Sequence, residues 1–191
     1  KGAAQNAQLT GSGKLLTLNA SLASLVLDLG QGDDEVVLSE QADGKLKLTG
    51  GDDLYELVFA RPTGILAIRG LDGVDKVTLD SLKLDTASLM VEGESISLGA
   101  GKTLAAGGNV LLRAEQRFEG DELEDDSVSL GASVIVDGSI RSGGTVMLQS
   151  VVGAHVALES TGILANLDIE ASTSAVSRIG SGAVIEARAL Q

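Results

Sequence analysis

The stretch that decides the fold runs from Leu89 to Ala114, L-M-V-E-G-E-S-I-S-L-G-A-G-K-T-L-A-A-G-G-N-V-L-L-R-A. Its apolar triplet Leu89-Met90-Val91 is answered by Val110-Leu111-Leu112, with small and polar residues between. Similar triplets begin at Leu25, Leu46, Leu66, Leu89, Val110, Val128, Val146 and Leu167, with a weaker echo at Val184. Self-similarity at about 20 residues marks a solenoid, because one short supersecondary unit cannot bury its apolar face alone and stacks on its neighbours. The expected fold is therefore all-β, a right-handed parallel β-helix of about 20 residues per coil. About eight or nine coils at a strand spacing near 4.8 Å would make a rod roughly 40 Å long. Periodicity alone leaves a flatter antiparallel stack open, since the uneven steps between triplets suit both.

Composition agrees with a narrow aliphatic prism. Hydrophobic residues make up 43% of the 191, yet the aromatics are only Tyr55, Phe59 and Phe118. Stacked Val, Leu, Ile and Ala fill such a core, and the 25 glycines suit its corners, where the backbone needs positive φ or close approach. The length admits one domain or two small ones, and continuous repeats favour one. Residues 1–24 read as a lead-in and first strand, 25–80 as Gly/Asp-rich coils, and 81–191 as further coils interrupted by an acidic loop at 119–127. Residues 119–126, E-G-D-E-L-E-D-D, hold six carboxylates in eight positions, a run that repels itself and favours solvent. The tail from Ala183 reads as a last strand rather than a helix.

A net charge of −13 argues against nucleic acid or an anionic membrane as partner, since both need a basic footprint. Cations are the natural complement. The absence of cysteine removes disulfides, zinc thiolates and a cysteine nucleophile. Nothing approaches a run of about 18 consecutive apolar residues, so this segment does not insert in a bilayer as a helix. The start at Lys1, without a signal-like region, reads as a segment of a longer chain.

The strongest candidate site is the set of Gly/Asp corners: Asp33 and Asp34, Asp52 and Asp53, Asp72 and Asp75. In register, neighbouring copies would lie about 4.8 Å apart and repel by roughly 0.9 kcal/mol even at the dielectric of water. Calcium, which takes six to eight hard oxygen ligands, would turn that cost into a gain. Alternatively the aspartates cap corner N–H groups, as Asp-Gly turns do. Calcium is the one cofactor in view, and both readings stand at this point.

Other motifs carry less. Gly99-Ala100-Gly101-Lys102-Thr103 has the end of a phosphate-binding loop, but Ile96 stands where the motif needs glycine, and Gly107-Gly108 interrupts the helix that should follow. His155 is the single histidine and has no nucleophile elbow to serve. Parallel β-helices also host polysaccharide lyases and hydrolases, which work with paired carboxylates, yet a sugar groove commonly presents aromatic platforms and few aromatics are present.

The phrase I-S-L-G-A-G-K-T-L-A-A-G-G-N-V-L-L-R-A at 96–114 resembles the repeats of filamentous haemagglutinin-type adhesins and related two-partner-secreted proteins, a likeness of texture over residues 81–191. The earlier L-V-L-D-L-G-Q-G-D-D-E-V-V-L at 25–38 resembles the Gly/Asp-rich segments of large bacterial surface proteins and is similar to the calcium-binding RTX nonapeptide. It departs from the latter because true RTX rolls set nonapeptides in tandem, and here the corners recur about every 20 residues. The resemblance implies a structural and interaction module rather than an enzyme. Such a module is secreted or held at a bacterial cell surface, as an adhesin, stalk or filament. Its implied partners are cell-surface or matrix glycans or proteins, and other copies of itself.

Overall fold

The computed structural model describes residues 5–8, 15–18, 22–50, 55–120, 127–156 and 170–190. Every regular element among them is a β-strand, and the strands form three sheets. The first sheet holds seven strands in the order Gln5–Gln8, Ser24–Asp28, Ile65–Arg69, Ser88–Gly93, Val110–Gly120, Thr145–Val156 and Ala189–Leu190, every pair parallel. The second sheet holds eight strands in the order Glu170–Ile179, Ser127–Val136, Ser95–Leu98, Lys76–Leu79, Glu35–Glu40, Leu46–Gly50, Tyr55–Phe59 and Leu15–Leu18. The third, parallel throughout, runs Leu82–Lys83, Thr103–Ala106, Ser139–Ser142 and Val184–Glu186. From Ile65 onward the chain visits the first, second and third sheets in turn, four times over.

Register explains why these residues form these strands. Leu25, Leu66, Leu89, Val110 and Val146 are successive partners, and each is at most 1% exposed. Two positions on, Leu27, Ile68, Val91 and Leu112 repeat the row and are fully buried. The alternation of buried and half-buried residues along Ser24–Asp28, Ser88–Gly93 and Ser95–Leu98 is the period-two pattern of a half-buried strand. Val36, Val77, Ile96 and Val134 from the second sheet, with Leu82, Leu104 and Ile140 from the third, close the same core.

The spacing departs from the uniform coils that the repeat predicts. Along the first sheet, the steps from Leu66 to Leu89 and from Leu89 to Val110 have the expected size. The step from Leu25 to Leu66 is twice as long, and that from Val110 to Val146 nearly so. With seven strands in that sheet, the stack is about 29 Å long rather than roughly 40 Å. Two insertions account for the long steps. The first is an antiparallel meander: Glu35–Glu40, Leu46–Gly50 and Tyr55–Phe59 lie side by side in the second sheet, and Tyr55–Phe59 then pairs in parallel with Leu15–Leu18. The triplet at Leu46 is thus a returning hairpin strand and not the start of a coil. Its turn is Gln41 to Lys45, where Gly44 has φ +80° and Asp43 Oδ1 accepts the Lys45 N–H at 3.1 Å.

The second insertion lengthens strands. Val110–Gly120 and Thr145–Val156 stay paired over eleven positions, and Ser127–Val136 pairs with Glu170–Ile179 over ten. The triplet at Val128 therefore belongs to the second sheet, opposite Ala171. The echo at Val184 belongs to the third, where Val184–Glu186 is a strand, in line with the reading of the tail. Leu167 lies outside the described residues, as does most of the acidic run, residues 121–126.

An exposed ion-pair cluster fastens the meander to the third sheet. Arg61 pairs with Glu40 and, at 3.0 Å, with Asp85, while Lys83 Nζ lies 3.1 Å from Asp85. The Lys83 and Arg61 side chains hold the Asp85 carboxyl below its ordinary value.

Candidate functional site

Two Gly/Asp corners stack directly although 41 residues separate them. Gly30 to Asp34 joins Ser24–Asp28 to Glu35–Glu40, and Gly70 to Asp75 joins Ile65–Arg69 to Lys76–Leu79. Gln31 bridges Asp72 in parallel, and the Gly32 N–H donates to the Asp72 carbonyl at 2.9 Å. Gly73 has φ +124°, and a Cβ there would lie 2.2 Å from the Gly32 carbonyl oxygen, so only glycine permits this approach.

The corner carboxylates accept from backbone N–H groups of the neighbouring turn. Asp33 Oδ1 accepts the Val74 N–H at 2.8 Å, and Asp75 Oδ1 accepts the Asp34 N–H at 3.1 Å. Glu94 Oε2 in turn accepts the Asp75 N–H at 2.6 Å. Asp34, Asp75 and Glu94 are the buried charged residues among those described, at 4%, 0% and 8% exposure. Gly70 makes room for this column, since a Cβ on it would meet Asp75 Oδ2 at 2.1 Å. A buried carboxylate is tolerated when charge-assisted N–H bonds replace its water, and here each turn supplies the donor for the next.

Of the six aspartates singled out in the sequence, Asp33, Asp34, Asp72 and Asp75 come together at this double corner. Asp52 and Asp53 lie outside the described residues, and the strands flanking them belong to the antiparallel meander. Among the described residues no group of three or more His, Cys, Asp or Glu side chains is placed to hold a metal ion. The geometry at Asp33 and Asp75 is that of capping. Glu94 escaped the sequence reading because its corner, Glu92-Gly93-Glu94, carries glutamate in place of Gly-Asp. Aligning Ile96 on Val77 in register would have found it.

Beside the column opens a cleft of about 580 Å³, lined by Gly70 to Gly73, Glu92 to Glu94, Arg113 and Glu115 to Arg117. Arg113 reaches Glu92 at 3.7 Å and also pairs with Glu115, which pairs with Arg117. The cleft is a charged surface whose arginines are already matched by glutamates. Gly99 to Lys102 forms a turn in which the Lys102 N–H donates to the Gly99 carbonyl at 3.1 Å, and the strand Thr103–Ala106 follows, so no phosphate-loop helix exists there. His155 lies in the strand Thr145–Val156, opposite Glu119 in register.

No protein-family model matches this chain, and neither the curated proteins nor the solved structures contain a significant match.

Burial raises the Glu94 pKa above its ordinary value of 4.5; the N–H bond from Asp75 opposes that rise, and the charges of Asp75 and Asp33 add to it. A carboxyl raised in the folded state binds its proton more tightly folded than unfolded. Its contribution to stability is present below the unfolded value and is lost as pH rises through the folded one. Glu94→Gln keeps an acceptor for the Asp75 N–H and removes the titration. It is expected to melt at or above the parent temperature at neutral pH, with less loss of stability on going upward from about pH 4. Glu94→Ala leaves that buried N–H without its acceptor and costs about 1–3 kcal/mol. A Gln variant as unstable as the Ala variant would contradict this. With the corner carboxylates occupied by N–H groups, melting in chelator and in millimolar calcium should agree to within about 2 °C. An upward shift of many degrees would make the corners ion sites.

Proposed function

We propose that the chain is a length of right-handed parallel β-helix and that it serves as a structural and interaction module. In that reading it is a stiff segment of a secreted or surface-held bacterial protein of the adhesin, stalk or filament kind. The observation that carries the reading is the unbroken row Leu25, Leu66, Leu89, Val110 and Val146, one residue per stacked strand. Right-handedness follows from the strong preference of parallel crossover connections for that hand. A stack in which each turn contacts only its neighbours carries load along its axis and offers long flat faces for attachment. The likeness of residues 96–114 to filamentous haemagglutinin-type repeats points the same way, and the net charge of −13 suits a partner that is not anionic.

Beads coated with the chain are expected to attach to host-cell or matrix-coated surfaces above the level given by an unrelated protein of equal charge. Attachment no better than that control would overturn the adhesive part of the proposal. Release of reducing ends from a panel of acidic polysaccharides would replace it with a carbohydrate-active reading.

A further inference from the structure

Two rows cross the outward side of the first sheet at right angles to its strands. Val26, Ala67, Met90, Leu111 and Met147 are successive register partners and form an apolar row. Ala67 is buried in it and the other four are half-buried. Both methionines of the chain, adaptable residues suited to contact surfaces, sit in this row. Two positions further along the same strands lie Asp28, Arg69, Glu92 and Arg113, which alternate in sign. Glu92 lies 3.7 Å from both Arg69 and Arg113. Asp28 Oδ1 is buried and accepts no hydrogen bond from the described residues.

We propose that this face pairs with a second copy of the chain, sheet on sheet, about a twofold axis that runs along the strands between Ile65–Arg69 and Ser88–Gly93. Such an axis reverses strand order from one copy to the other. Asp28 then faces Arg113 of the second copy and Arg69 faces its Glu92, each contact occurring twice. In the adjoining row Val26 meets Leu111 and Ala67 meets Met90. A slip by one strand sets like charges opposite one another throughout, so the alternating row selects a single register. A twofold along the stack would instead lay the charged row on Ser24, Ile65 and Ser88, and none of these charge pairs would form. The inference stands on the register of the first sheet and not on where the protein acts.

Four strands at about 4.8 Å and five positions at about 3.3 Å make a face of roughly 300–350 Å² per partner. That is well under the ~800 Å² of a standard interface, so the pair is weak, with a Kd on the order of 10–100 µM. Two chains of net charge −13 repel at long range, and about 0.15 M salt confines that repulsion to a Debye length near 8 Å.

The test is sedimentation of the 191-residue chain from about 5 to 500 µM in that salt. Wild type is expected to pass from monomer to dimer. Arg69→Glu alone sets Glu against Glu92 twice, and Glu92→Arg alone sets Arg against Arg69 twice, so each should weaken self-association at least tenfold. An equimolar mixture of the two variants restores every opposite-charge contact across the interface and should form heterodimers as readily as wild type. Loss of an intramolecular ion pair cannot imitate that rescue. A wild type that stays monomeric at the top of that concentration range, or a mixture that associates no better than either variant alone, overturns the proposal.

Discussion

The parallel hydrogen bonds that set Leu25, Leu66, Leu89, Val110 and Val146 in one row determine which side of every neighbouring strand faces the core. Because side chains alternate along a strand, a slip of one residue would turn the whole aliphatic row outward and bring the charged row in. Each fully buried Leu or Val is worth about 1.5–3 kcal/mol relative to exposure, so register is enforced several times over. The same pairing that stacks Leu on Leu inside places Arg69 beside Glu92 and Glu92 beside Arg113 outside. One backbone constraint thus produces both the core and the charge pattern of the surface.

The corners obey it too. Where strands of successive turns are stacked, the turns between them are also stacked, and their free N–H groups need acceptors away from water. Asp75 and Glu94 supply these from the next turn along, and Asp33 caps the exposed Val74 N–H from the preceding turn. The like charges of Asp75 and Glu94 oppose one another across this column, and burial adds to the cost of Glu94. The arrangement holds because each carboxylate exchanges water for a directed N–H bond. Conformational freedom at Gly73 and open space at Gly70 are its steric conditions.

Strand existence and inward faces were legible in the sequence because alternation of Leu and Val reports burial. Direction came from the repeat and not from alternation, which is identical in a parallel and an antiparallel strand, and it failed at the antiparallel meander. At Leu46 the local signal that separates the two was Asp43-Gly44, a hairpin dipeptide between alternating apolar runs, and the longer repeat overrode it. At Val128 a long strand in another sheet has the same texture as a coil start. The aspartates of the two stacked corners were singled out because in-register carboxylates crowd one another, and Asp33 and Asp75 instead accept backbone N–H groups of the neighbouring turn. Glu94 was hidden because its place in the column depends on three-dimensional register rather than on a Gly-Asp motif.

The most direct test is the neighbour of Val37. Val37 pairs in parallel with Thr78, while Leu46–Gly50 separates it from Tyr55–Phe59, which carries Val58. The chain has no cysteine, so introduced pairs report without interference. Val37→Cys with Thr78→Cys should form a disulfide under mild oxidation, since adjacent strands bring Cα atoms within the range of about 4.4–6.8 Å that a disulfide spans. Val37→Cys with Val58→Cys should not. The opposite result, a disulfide from 37 to 58 and none from 37 to 78, would mean uniform coils of about 20 residues and would contradict the stacked corners with everything built on them.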